Sequence, residues 1–225
     1  MRREVHIILP ADRAARRPDA RAIWGHAGYA FALLFPSSGL ALKYLGVAGL
    51  GLYALGGVGV LLAAGRVLYP WFLGHFSRKQ ALPLAILTCA VLMGAFAVIY
   101  PLADSGQLVR GSDADDGLNR AARALLAGRY PYYEQTYLGN AITPMPGAVV
   151  LAAPFVLLGN SAYQNGFWLA VFFVALAHRL KDARAPLLLL WTVLLLSPVV
   201  LHALLTGNDY VANSLYILLP LVWLS

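Results

Sequence analysis

Four carboxylates, three arginines and a group of tyrosines are the residues whose types and spacing suit chemistry. Asp113, Asp115 and Asp116 crowd together in GSDADDG, and Arg110, Arg120 and Arg123 flank them. Tyr130, Tyr132 and Tyr133 follow in RYPYY, while Asp209 stands far along the chain in TGNDY. A carboxylate can take the proton from an attacking hydroxyl as general base. The planar fork of an arginine can grip a phosphate through paired hydrogen bonds. Tyrosine offers a flat ring and a hydroxyl, which suit a sugar acceptor. Together the set suits transfer from a phosphate-linked donor to a hydroxyl.

Each of these residues also has a structural use. Asp at the start of a helix caps free N–H groups and complements the helix dipole. Asp116 and Arg120 are four apart, the spacing of an ordinary ion pair on a helix surface. Tyrosine gathers at membrane–water interfaces. Asp209 follows Gly207 and Asn208, which suits a turn, yet an ionisable residue beside an apolar segment is a functional candidate by default. On the residues alone both readings stay open. Cys89 is the only cysteine, so there is neither a disulfide framework nor a cysteine metal site. His202 has no second histidine at ligand spacing. No cofactor is expected, although a divalent metal between Asp113 and Asp209 stays open.

Composition dictates which elements position these groups. The chain has 225 residues, 60% hydrophobic and 12% charged, against about 25% charged in soluble domains. The charges collect in short islands between apolar stretches at roughly 22–42, 46–64, 82–102, 162–177, 186–206 and 210–224. A helix needs about 20 mostly apolar residues to cross a bilayer. The expected fold class is therefore all-α, a polytopic transmembrane helical bundle with an outer loop that contains juxtamembrane amphipathic helices. Three parts are expected: a basic cytoplasmic leader at 1–21, a transmembrane pair with a cytoplasmic loop at 22–80, and a membrane core at 81–225.

The net charge of +7 does not indicate nucleic acid. The basic residues sit at the ends of apolar segments, where they set topology, and form no stripe with aromatics of the kind that binds single strands. Six arginines in the leader place the N-terminus in the cytoplasm. The islands 66–80 (Arg66, Arg78, Lys79) and 178–184 (Arg179, Lys181, Arg184) belong on the same side. The mixed loop 103–143 falls outside. Only one crossing then fits between that loop and 178–184. The piece 147–159, interrupted by Pro154, is assigned to the outer interface and 162–177 to the crossing. Asp209 consequently lands on the same face as the long loop. The expected location is the inner or plasma membrane, multi-pass, with membrane lipid as a partner.

Within the loop, Leu118, Ala122, Leu125 and Leu126 recur at the spacing of one helical face, with Arg120 and Arg123 opposite. Ser112 and Asp113 are candidate N-caps and Gly128 a stop. A short amphipathic helix resting on the outer membrane surface is expected, and Pro144 and Pro146 stiffen the entry to the next piece.

The segments Gly111–Asp116, Ala121–Gly128, Tyr130–Tyr133 and Pro146–Gly159, in that order, resemble the GT-C superfamily of membrane glycosyltransferases. The likeness is to the bacterial polyprenyl-phosphate-sugar-dependent mannosyl- and arabinosyltransferase-like branch, and it covers about residues 82–224. It implies a donor of that lipid-linked kind, a glycan, glycolipid or protein acceptor in the cell envelope, and direct inverting transfer. By that resemblance the catalytic Asp of the first outer loop falls on Asp113 or Asp116, or on Asp115. A second acidic residue falls on Asp209. Arg110, Arg120 and Arg123 would meet the donor phosphate, and Tyr130, Tyr132 and Tyr133 the acceptor sugar. Members of the superfamily are usually much longer, so the expectation is an N-terminal portion or a reduced relative. The competing expectation is a non-enzymatic membrane protein, such as a lipid-carrier transporter subunit or an envelope assembly partner.

Overall fold

The computed structural model describes residues 20–105 and 113–224. Arg110, Ser112 and nearly all of the basic leader lie outside the described residues. Those described are all-α, apart from one isolated antiparallel bridge between Gln135 and Ala141.

The first helix, α1 (Ala20–Ala63), is two arms rather than one rod. Gly46 interrupts it with φ 69° and ψ −171°, a region that only glycine enters without strain. The chain reverses there. A Cβ on Gly57 would collide with the Leu34 side chain, and the Tyr53 hydroxyl donates to the Leu34 carbonyl at 3.3 Å. The arms, 20–45 and 47–63, match the pair of apolar segments expected there. A π-helical turn (Ala64–Leu68) then leads into α2 (Tyr69–His75) and, after a Ser77–Gln80 capping box, into α3 (Arg78–Asp104).

Next come α4 (Ala114–Leu126), α5 (Pro146–Leu157) and α6 (Gln164–Leu180). The axes of α5 and of the segment leading through α6 differ by 103°. By length and composition the pair counts as one candidate crossing at most. The apolar stretch at 186–206, read as a single crossing, is broken. It forms α7 (Arg184–Leu196) and α8 (Pro198–Leu205), bent by 93°. The cause is the Ser197–Pro198 step. Proline removes a backbone donor and pushes the residue before it out of helical geometry, and Ser197 sits at φ −121°, ψ 78°.

The N-terminal hairpin satisfies the groups this break frees. Tyr53 donates to the Leu196 carbonyl at 2.6 Å, and the Val199 N–H donates to Ser37 Oγ at 3.0 Å. Irregular backbone within an apolar region persists only where such partners exist. The last helix, α9 (Tyr210–Leu224), has 15 residues, which rise about 22 Å and fall short of a hydrocarbon core of about 30 Å.

Among the described residues, two helical stretches are long and apolar enough to cross a membrane, and up to four when each bent pair counts as one. Their outward faces are greasy: Leu55 is 76% exposed and Val98 65%. Exposed apolar area on this scale needs lipid or protein against it.

The loops gather at two opposite ends of the helices. At one, Arg184 donates to the carbonyls of Leu73 and Phe76 and pairs with Asp182 at 2.8 Å, and Arg78 joins Asp182 at 3.4 Å. Beneath them Phe72, Ala81, Ala85, Phe173 and Leu187 form a buried cluster. The islands 66–80 and 178–184 thus meet at one basic end. The residues of the long loop, 113–143, and Asp209 meet at the other.

Candidate functional site

Helix α4 carries the acidic cluster, and its own packing fixes where the carboxylates point. Leu118, Ala121 and Ala122 bury against Ala148, Val149, Ala152 and Val156 of α5. Alanine on both faces lets the helices approach closely. Leu125 and Leu126, expected on this face, are instead exposed, whereas Ala124 beside them is fully buried. Gly128, at φ 69°, ends the helix as expected.

Asp113 stands at the N-cap position but does not cap with its side chain. Its carboxylate crosses to a turn in the loop instead. Thr136 Oγ1 and Asn140 Nδ2 each donate to Asp113 Oδ2 at 2.6 Å. The turn is preset by its own bonds: Thr136 N–H to the Asn140 carbonyl and Gly139 N–H to the Thr136 carbonyl, both 2.8 Å, with Gly139 at φ 81°. The Thr136 hydroxyl, then the Asn140 amide, holds the Asp113 carboxyl below its ordinary value. Asp113 is therefore an ionised, partly exposed carboxylate on a rigid mount.

Asp116 makes the helical pair its spacing allows. The Arg120 Nε–H reaches both carboxylate oxygens, at 2.9 and 2.8 Å, and the Tyr137 N–H donates to Oδ2 at 2.8 Å. Tyr137 sits among the acids: after burial, the charges of Asp113, Asp115, Asp104 and Asp116 raise its phenol. Arg123 is exposed on α4.

Asp115 points inward and is 5% exposed. Tyr100 of α3 donates to it at 2.6 Å and accepts from Asn160 Nδ2 at 2.6 Å. Asn119 Nδ2 donates to Asn160 Oδ1 at 3.1 Å, and the Ser161 N–H donates to Asn119 Oδ1 at 2.8 Å. This chain of polar groups ties α3, α4 and the α5–α6 corner together. Burial pushes the Asp115 carboxyl up, against the lowering effect of the Tyr100 bond.

Asp209 comes to the same end of the molecule, as the topology argument expected. It too is buried, at 7% exposed, and burial raises its carboxyl against a 2.9 Å bond from Asn213. Nearby, Asn165 of α6 donates to the Asn208 carbonyl at 2.8 Å. Gly207 stands against the Tyr100 ring, where a Cβ would lie 2.5 Å from it. Asp115 thus bonds to Tyr100, and Gly207, two residues before Asp209, packs on the same ring.

The tyrosines divide. Tyr132 packs against the α4–α5 core and donates to the Pro144 carbonyl at 2.9 Å. Tyr133 is 86% exposed, and its ring centroid lies 4.7 Å from that of Tyr130, also exposed. Among the described residues no three His, Cys, Asp or Glu side chains converge to hold a metal.

Tyr100, Asn119, Asn160, Thr136 and Asn140 did not figure in the sequence reading. For Asn160 the available signal was compositional: GNSAYQNG sets five polar residues between two apolar runs, and buried polar groups in such places are bonded to something. Comparison with known proteins finds no matching family model, no matching curated protein and no matching solved structure.

Proposed function

We propose that this chain is an integral membrane glycosyltransferase that moves a sugar from a polyprenyl-phosphate-linked donor to a hydroxyl of a cell-envelope glycan, glycolipid or protein. One observation carries the reading. Asp113 is an ionised, partly exposed carboxylate, rigidly mounted by Thr136 and Asn140, at the end of the molecule opposite the basic loops. Positive islands belong in the cytoplasm, so the Asp113 end faces outward, where lipid-linked sugars meet envelope acceptors.

In this mechanism Asp113 takes the proton of the acceptor hydroxyl. The acceptor oxygen bonds to the anomeric carbon while the carbon–oxygen bond to the donor phosphate breaks. The electron pair leaves on the phosphate. Arg123 and Arg120 stand on the same helix to stabilise that charge, with Arg110 their neighbour in sequence. Tyr130 and Tyr133 offer exposed rings to the acceptor sugar. Asp116 orients Arg120 and the Tyr137 backbone. Asp115 and Asp209 hold the outer elements in register from inside.

A second reading is a non-enzymatic membrane partner, such as a lipid-carrier transporter subunit. The commitment of Asp115 and Asp116 to internal contacts favours it, since a structural loop would make the same bonds. The two separate in reconstituted vesicles that contain polyprenyl-phosphate sugars and an envelope acceptor. The enzyme releases polyprenyl phosphate in proportion to protein. Movement of donor across the bilayer without release would select the second reading.

A further inference from the structure

A large cavity among the described residues lies away from the acidic cluster. It is a groove of about 1020 Å³ between the two arms of α1 and the side of α7. That volume is at the top of the range of about 300–1,000 Å³ typical of ligand sites. Its walls are almost wholly apolar, and Ala30, Ala54, Ala64 and Gly65 leave the space that larger side chains would fill. Nothing in such a groove would hold a sugar or a nucleotide, whereas an acyl chain fits its chemistry.

The position of one end decides which lipid. Leu68, Tyr69 and Ala185 line the groove next to the loops of the basic end. Arg66 is exposed in the π-helical turn. It directly follows Gly65, a residue of the groove wall. Arg184 is the immediate neighbour of Ala185, which lines the groove. Asp182 is the one acid in the islands 66–80 and 178–184, against Arg66, Arg78, Lys79, Arg179, Lys181 and Arg184. The π-helical turn is a second, separate indication. Such turns are uncommon and are found often at functional sites, and Ala64, Gly65 and Leu68 of this one form the groove wall.

We infer that the groove between the α1 hairpin and α7 is a binding site for one anionic phospholipid, its acyl chain between the arms and its phosphate at Arg66. The site is independent of the catalytic reading and holds whether or not the chain transfers sugar.

Native mass spectrometry of the purified full chain, given equal amounts of phosphatidylglycerol and phosphatidylcholine, tests this. The wild type retains one phosphatidylglycerol in about fivefold preference, as expected for one basic residue near an anionic headgroup. Arg66→Gln, at an exposed position, lowers the preference to near parity while retaining a lipid. Ala54→Phe fills the groove and lowers retention of both lipids, with melting behaviour checked beside it. Equal retention of the two lipids by the wild type would overturn the proposal. So would an undiminished preference in Arg66→Gln, or a dimer that forms without lipid and is lost in Ala54→Phe.

Discussion

Tyr100→Phe removes a single oxygen from the centre of the polar chain behind the acidic cluster. That oxygen donates to Asp115 and accepts from Asn160, each at 2.6 Å. A hydrogen bond to a charged group contributes about 1.5–3 kcal/mol net, and a buried polar group left without a partner costs about 1–3 kcal/mol. The two overlap here, since the same deletion causes both, so the expected loss is about 2–3 kcal/mol. For a chain of about 150–250 residues each kcal/mol moves the melting midpoint by about 2–4 °C, which gives a drop of about 4–12 °C. The loss depends on pH with a definite sign. The Tyr100 bond favours the ionised form of Asp115, while burial raises its carboxyl above the ordinary 3.8. Removing the bond lifts the folded value further. Asp115 then contributes stability below 3.8 that is lost as pH rises through the raised value, and the variant loses more of it. The gap between wild type and Tyr100→Phe is therefore smaller in acid than at neutral pH. Thermal melts in detergent across that range measure it. Combined with Asp115→Asn, the two substitutions couple by about 0.5–3 kcal/mol. A neutral-pH drop below about 1 °C, or strictly additive losses, would refute the network.

Asp113 has the opposite linkage. Its folded carboxyl lies below the ordinary 3.8, so its contribution is present above that value and lost as pH falls through the folded one. Asp113→Ala lowers stability at neutral pH by under about 1 kcal/mol, since the group is well solvated, and the difference closes in strong acid, as melts at both pH values would show. Gly46→Ala places a Cβ in a backbone region essentially reserved for glycine and destabilises the hairpin by about 1–3 kcal/mol, read by the same melts. Arg184→Gln removes the cation that joins Asp182 to the Leu73 and Phe76 carbonyls, and trypsin then cuts at Arg78 faster than in the wild type.

Much of the frame was legible because periodicity and charge act locally. The spacing of Leu118 and Ala122, with Gly128 beyond, located α4, since a helix is written in its neighbours. The positive islands brought 66–80 and 178–184 together, and the structure closes them through Arg184 and Asp182. Pro154 and the polar residues after it did mark a break between 147–159 and 162–177, and the two helices there are bent by 103°. Contacts across long separations were not legible. The hydrophobicity of 186–206 masked the Ser197–Pro198 break, because the groups it frees are satisfied by Ser37 and Tyr53, some 160 and 143 residues away. The same holds at the site. Nothing near Asp113 announces that Thr136 and Asn140 will take its side chain away from the helix cap. Asp115 reads like its neighbours until the helix turns it toward Tyr100.

The central claim is that Asp113 acts on an acceptor hydroxyl at the outward end. Its most direct test is sugar transfer by Asp113→Asn in membranes at matched expression, with a polyprenyl-phosphate sugar as donor and polyprenyl phosphate as the measured product. Asparagine keeps the size and the mount but cannot take the proton, so the account predicts a loss of about 10²–10⁴-fold. Transfer at the wild-type rate in Asp113→Asn would contradict it.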